Sequence, residues 1–460
     1  MRAKLALLLL TLFSFSCYAN EASTQKYLES IQDDPQALIT FFWHMPKGAD
    51  LHNHLSGAVY SENLLVYGRH DHLCIDDKTL TASVNANCDA THQLDHLDIM
   101  NPLYQRILDA WSMDNFKADK ETAHDHFFAT FMKFGPIPDN HTPELLTEVS
   151  ERAGNQNESY LELMITADGN RSGKLGAKVG WDKNLAILRM RLLNAGLLDI
   201  VNDMSTKIRA DEATRDAIMV CHTTLFNPGC DIEIRYLYQV LREQAPEKVF
   251  AQLLAGFELA NRDPKFVGIN MVQPEDGPIS MRDYHLHMQM VGFLHQIYPK
   301  VHISLHAGEL TSDLVPADGL RFHIREAIEI AHAERIGHGV DITHEDNAAD
   351  LLREMADKQI YVEINLTSNQ QILNVSGAEH PLPLYLQNHV PVGLSTDDEG
   401  VERTDLSSQY EMAEKEYHYT YAQLKAFAYA SLQHSFVDEE TKKKLLQDLD
   451  QRFRKFEALH

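Results

Sequence analysis

Eight short apolar runs punctuate this chain, and amphipathic stretches of crossover length lie between most of them. That alternation is what a parallel sheet wrapped in helices requires, and it constrains the fold more than any other feature. The runs read as strands at Ala49–His54, Tyr160–Thr166, Ile232–Tyr238, Phe266–Val272, His302–His306, Arg335–Val340, Tyr361–Leu366 and Val390–Ser395. Leu185–Leu198 and Tyr284–Tyr298 are examples of the intervening helices, with apolar residues recurring at helical spacing. Eight such units predict an α/β fold, a (β/α)8 TIM barrel.

One interval is too long for a simple crossover. About 100 residues separate the first two strands, which predicts a helical insertion, roughly residues 60–155, on the first βα loop of a single barrel domain spanning 20–460. Residues 20–45 read as a helical N-terminal extension that ends at Met45-Pro46-Lys47-Gly48, where Pro and Gly punctuate. Ahead of it, Arg2 and Lys4 precede the apolar run Leu5–Ser16, the pattern of a secretory signal peptide over residues 1–19. The run is shorter than the roughly 20 residues of a membrane span. Cleavage after Ala19 fits the small-residue rule. The alternative is a lipid on Cys17, for which Ser14-Phe15-Ser16-Cys17 is a poor signature. An exported protein, periplasmic or extracellular, follows from this reading. The cysteines that remain, Cys74, Cys88, Cys221 and Cys230, are even in number, which permits two disulfides in an oxidising compartment. The local pairing Cys74–Cys88 and Cys221–Cys230 is the one taken, with four unpaired buried thiols as the other reading.

Composition enters through charge and histidine. The chain has 41 Lys plus Arg against 67 Asp plus Glu, a formal charge of −26 over 460 residues, so a nucleic-acid backbone would be repelled. Its 25 histidines exceed what a core needs and raise metal ligation or proton transfer as a question.

Four motifs sit at ends of candidate strands. His52-Asn53-His54 closes the first and places two imidazoles on one strand face, where both can reach one metal. Three other His-x-His pairs, at His70/His72, His124/His126 and His285/His287, read as solvated helix or loop residues. His306-Ala307-Gly308-Glu309 closes the fifth strand and offers a third imidazole beside a carboxylate suited to acid–base work. Gly337-His338-Gly339 closes the sixth, with room around the ring for a small reactant. Ser395-Thr396-Asp397-Asp398 closes the eighth, where adjacent acids point in different directions; a plain helix N-cap is the other reading. In a barrel these ends meet at one mouth, so His52, His54, His306, His338, Glu309, Asp397 and Asp398 would converge. Three imidazoles and one carboxylate suit a divalent metal of zinc type with a position open for water.

The same motifs, from Met45-Pro46-Lys47 through His52-x-His54-Leu55-x-Gly57-Ala58 to Ser395-Thr396-Asp397-Asp398, resemble the adenosine deaminase family of metal-dependent hydrolases in order and spacing, over about 350 residues. The signal segment, the Met-Pro-Lys-Gly opening and the cysteine-bearing insertion look most like its secreted branch, the adenosine deaminase-related growth factors. The resemblance implies one zinc ion per chain, bound by His52, His54, His306 and Asp397. It further implies that Glu309 protonates the purine ring at N1, that His338 orients and deprotonates the zinc water, and that Asp398 holds N7. The implied reaction is hydrolytic deamination of adenosine or 2′-deoxyadenosine to the inosine analogue and ammonia.

Glu399 stands where the family commonly has Pro after the acidic pair, and two further departures bear on the substrate. Ser56 stands where an Asp commonly contacts the ribose, and Gln273 stands where a Gly commonly lets the backbone N–H reach purine N3. They motivate the alternatives: an aminohydrolase of another modified purine or amide, or a silent binding or signalling barrel. The expected partner is a small purine nucleoside, with no nucleic acid and no membrane span. A homodimer through the insertion is an option that the sequence leaves open.

Overall fold

The computed structural model describes residues 20–84, 88–89 and 91–460. The proposed export segment, with Arg2, Lys4, Leu5–Ser16, Cys17 and Ala19, lies outside the described residues. Eight parallel strands pair in chain order as a (β/α)8 barrel: β1 (Gly48–His54), β2 (Glu158–Ile165), β3 (Glu233–Leu241), β4 (Phe266–Val272), β5 (His302–Ala307), β6 (Arg335–His338), β7 (Tyr361–Ile364) and β8 (Val392–Leu394). Every residue of β1, β2, β6, β7 and β8 is buried, as expected for strands covered by side chains inside and helices outside. Closure between β8 and β1 falls to residues just beyond β8. Asp397 N donates to His52 O at 2.8 Å, and His54 N donates to Asp397 O at 3.0 Å.

The motif Met45-Pro46-Lys47 now has a structural cause. Lys47 is fully buried at the start of β1, and its ammonium donates to the carbonyls of Met45 (2.8 Å) and Gln156 (2.6 Å). A buried ammonium needs such partners, so Lys47 ties the entry of β1 to the entry of β2. Below the mouth, Arg335 is also buried. It pairs with Glu162 and Glu363, each at 2.7 Å, and lies 3.8 Å from the centre of the Phe436 ring.

Between β1 and β2 the chain forms helices Leu55–Ala58, Ser61–His70, Pro102–Ala110, Ala123–Phe134 and Thr142–Asn155, with a small antiparallel pair, Cys74–Ile75 against Ala82–Ser83. Cys74 is bonded to Cys88 and Cys221 to Cys230, the local pairing taken above.

Several element boundaries move from their expected places for identifiable reasons. β3 runs on to Leu241 because Gln239–Leu241 pair with Asn270–Val272 of β4. β6 stops at His338, since His338 (φ 67°) and Gly339 (φ 60°) turn out of extended backbone. The helix expected over Leu185–Leu198 is broken at Gly196 (φ 96°) into Leu185–Asn194 and Leu197–Ile218. The N-terminal stretch is two helices, residues 20–31 and Pro35–His44, divided where the Asp34 side chain caps Gln36 and Ala37. Of the three His-x-His pairs read as solvated, His70 and His72 are exposed as expected, whereas the reading needs correction at His126 and His287, which are buried. His126 Nε2 lies 2.9 Å from the Ser112 carbonyl, and His287 is enclosed without a hydrogen-bond partner among the described residues, its pKa pushed down to about 4 by burial.

Candidate metal centre and active site

All seven singled-out residues meet at the C-terminal mouth of the barrel. β1 supplies His52 and His54 on one face, β5 supplies His306, and β6 supplies His338. Asp397 follows β8 with φ 67°, an uncommon backbone state for a residue with a side chain, and Glu309 follows Gly308 (φ 77°) after β5. Strain of this kind clusters where the fold must aim a functional group. Ligand-capable atoms of His52, His306, His338 and Asp397 lie within 4.8 Å of one another, as do those of His54, Asp397 and Asp398.

Hydrogen bonds behind the rings decide which nitrogens face this point. His52 Nδ1 lies 2.7 Å from Glu363 Oε2, His54 Nδ1 lies 2.9 Å from Gln239 Oε1, and His306 Nδ1 lies 2.6 Å from Asn270 Oδ1. Each partner is an acceptor, so each Nδ1 carries the hydrogen and each neutral ring turns a bare Nε2 forward. Those Nε2 atoms crowd together: His306 Nε2 is 3.1 Å from that of His52 and 3.2 Å from that of His54. Asp397 Oδ1 is 3.4 Å from the first of these rings' partners, His52 Nε2, and 3.2 Å from His54 Nε2. Three converging lone pairs and a carboxylate repel one another unless a cation lies among them. The donor set therefore fits a divalent metal accepting nitrogen and oxygen ligands.

Glu309 stands at the edge of this cluster, its Oε1 3.7 Å from His338 Nδ1. Burial, reinforced by the charges of Asp397 and Glu275, holds its carboxyl well above the usual carboxylate range, which favours its protonated form. Its loop is clamped from behind. Both oxygens of Glu275 accept backbone N–H bonds, from Gly308 at 3.0 Å and Glu309 at 2.9 Å, and His323 Nδ1 lies 2.5 Å from the same carboxylate. Asp398 precedes the short helix Glu399–Glu402 but its side chain caps nothing, and its buried Oδ1 has no hydrogen-bond partner among the described residues. Gly57 is required beneath it, because a Cβ there would fall 1.7 Å from Asp398 Oδ1. Burial raises the Asp398 carboxyl to about 8.

The cluster opens into a cavity of about 990 Å3 lined by His54, Ser56, Gln273, Glu309 and Asp398, with Phe128 among several aromatic residues of the insertion helix Ala123–Phe134. Gln273 takes φ 82°, the left-handed backbone that glycine favours, and its side chain turns aside so that Oε1 accepts from Glu243 N at 2.9 Å. Sequence reasoning missed the supporting residues Glu363, Gln239, Asn270 and Glu275. No local pattern marks them, because each acts on a residue distant in sequence; Glu363 and His52 are 311 positions apart.

Fold and site together define a (β/α)8 barrel whose mouth holds a His–Asp cluster able to bind a metal ion. The chain belongs to the adenosine deaminase family, whose model matches residues 203–452. Among relatives, it is 33% identical over 144 residues to an adenosine deaminase of Clostridium perfringens, covering 31% of this chain and 40% of that one. It is 31% identical over 145 residues to an adenine deaminase of Rhizobium leguminosarum bv. trifolii, covering 31% and 42%. The matched segment thus spans about two fifths of these relatives' length. Among solved structures, the N6-mAMP deaminase of Arabidopsis superposes with a TM-score of 0.59 at 20% identity, over 90% of this chain and 99% of that one. A zinc-bound amidohydrolase from Burkholderia ambifaria superposes with a TM-score of 0.52 at 17% identity, over 91% and 94%. These likenesses establish the shared barrel.

Proposed function

We propose that the protein is a zinc-dependent hydrolytic deaminase that converts adenosine or 2′-deoxyadenosine to inosine or 2′-deoxyinosine and ammonia. The observation that carries the reading is a buried Glu309 at the edge of a cluster in which Nε2 atoms of His52, His54 and His306 converge with the Asp397 carboxylate. His52, His54, His306 and Asp397 would hold the metal, which would supply a nucleophilic water at neutral pH by lowering its pKa toward about 7.

The chain's own residues do the rest. Asp398 presents a buried, unpartnered oxygen to the cavity, suited to hold ring nitrogen N7. Glu309 gives its proton to N1 as oxygen adds at C6, which relieves the negative charge the ring would otherwise develop, and it regains a proton from the attacking water. The remaining water proton leaves with the amine as ammonia. His338, enclosed between Glu309 and Asp397, orients the incoming oxygen.

A second substrate reading is favoured by one observation: the cavity of about 990 Å3 is at the upper end of the range for small-molecule sites, and Ser56 and Gln273 line it. A purine with a larger substituent would use that space. The related chains bear on this choice, since they include proteins named for adenine and N6-mAMP. Export is supported by the Arg2–Ala19 pattern and by two disulfides, which persist in oxidising compartments.

The test uses the chain from residue 20, with metal content determined and adenosine, 2′-deoxyadenosine, adenine and N6-methyladenosine compared by absorbance loss and ammonia release. One zinc per chain with adenosine turned over fastest supports the reading. Zinc with turnover of a substituted purine alone moves it to the second, and absence of turnover on all four overturns both.

A further inference from the structure

We propose that a one-way hydrogen-bond chain, from Leu382 N–H through His380 and Asn369 to His338, holds the His338 ring as an Nε2–H donor facing the metal centre. His338 then serves as a hydrogen-bond donor to the oxygen that adds to substrate, and neither as a metal ligand nor as the base that takes the water proton. Asn369 and His380 are its positioning residues. The kinetic consequence rests on the deaminase reading; the tautomer does not.

The direction of the chain is forced at its far end. A backbone N–H can only donate, and Leu382 N lies 3.1 Å from His380 Nδ1, so that nitrogen is bare and accepts. The hydrogen of the His380 ring is therefore on Nε2, which lies 3.0 Å from Asn369 Oδ1. With its oxygen committed to that bond, the Asn369 amide turns its NH2 group to His338, and Nδ2 lies 3.0 Å from His338 Nδ1. A second amide nitrogen, Asn365 Nδ2, lies 3.5 Å from the same atom. His338 Nδ1 thus accepts, and the neutral ring carries its hydrogen on Nε2.

That atom has no hydrogen-bond partner among the described residues, though it is fully enclosed. It points toward Asp397 Oδ2, 3.7 Å away. His52, His54 and His306 have acceptors behind Nδ1 and turn lone pairs forward; His338 has donors behind Nδ1 and turns an N–H forward. One mouth therefore holds three rings set for metal and one set for an oxygen, although a ligand-capable atom of His338 lies as close to the cluster as the others.

The test has a spectroscopic and a kinetic arm, both on zinc-loaded protein. In 15N-histidine-labelled protein, the His338 resonances, assigned by their loss in His338→Gln, are expected to show a protonated Nε2 and a bare Nδ1. Asn369→Asp replaces the donor by an acceptor and is expected to invert that pattern; Asn369→Ser is the control that removes the donor without adding a carboxylate. A parent protein with hydrogen on Nδ1, or an Asn369→Asp protein with the parent tautomer, overturns the proposal whether or not adenosine is turned over. In the kinetic arm, His380→Leu is expected to lower kcat by about 10- to 100-fold with KM and zinc content unchanged. His380→Gln, which can still accept from Leu382 and donate to Asn369, is expected to restore most of it. Equal losses in the Leu and Gln variants, with zinc and thermal unfolding as in the parent, overturn the positioning role.

Discussion

Glu363 on β7 lies 2.7 Å behind His52 on β1, and its other oxygen lies 2.7 Å from the buried Arg335 and 2.8 Å from Ser304 Oγ. A ring of the candidate metal site is thus tied to an ion pair inside the barrel, so that site and the core are built from one network.

Replacing Glu363 by Gln should loosen both. The amide leaves Arg335 with Glu162 as its remaining carboxylate, and it no longer holds the hydrogen of His52 on Nδ1 by charge. Zinc affinity is expected to fall about 10- to 100-fold, and stability by about 3 kcal/mol, the scale of breaking a buried pair. Chelator competition and denaturant unfolding measure the two; an unchanged zinc affinity would remove Glu363 from ligand orientation.

Glu309→Gln should retain zinc and fold but lose about 100- to 10,000-fold in kcat, the usual weight of general acid catalysis. The amide fills the same space and cannot give a proton to N1. Activity within tenfold of the parent would take Glu309 out of the proton transfer.

At Gln273 the expected order of stabilities is reversed from the ordinary one. Glycine relieves a left-handed backbone worth about 1 kcal/mol while giving up the bond to Glu243 N, worth about the same, so Gln273→Gly should be near neutral. Gln273→Ala keeps the strain and loses the bond, and should unfold more easily by about 1 to 2 kcal/mol. Comparing the two variants by urea unfolding checks this; an alanine variant at least as stable as the glycine variant contradicts it.

The insertion helix Ala123–Phe134, which walls the cavity, is pinned at its first turn by His124, whose Nε2 lies 3.0 Å from Asp276 Oδ1. Burial disfavours the charged ring, but the bond and charge of Asp276, aided by Asp125, outweigh it and hold the His124 pKa above the ordinary histidine value. The folded ring therefore binds its proton more tightly than the unfolded one. The contact contributes fully below the ordinary histidine range and is lost as pH rises through the raised folded value. Hydrogen exchange within residues 123–134, corrected for intrinsic rates, should accelerate over that rise in the parent and be flat in His124→Gln.

The barrel and the meeting of its candidate ligand residues were legible in the sequence because their determinants are local. Apolar runs of strand length mark β1–β8, and His52-x-His54 puts two rings on one face by the two-residue repeat of a strand. A barrel then carries the ends of β1, β5, β6 and β8 to one mouth, so the convergence of His52, His306, His338 and Asp397 follows from topology. What only the tertiary structure decided is the state of each ring. A histidine reads the same in sequence whether its second nitrogen meets an acceptor or a donor. His52 meets Glu363 and His338 meets Asn369, partners that no spacing rule brings near them. The proton's position on each imidazole is set by a hydrogen bond from behind, and that bond exists only once distant strands and loops are packed together.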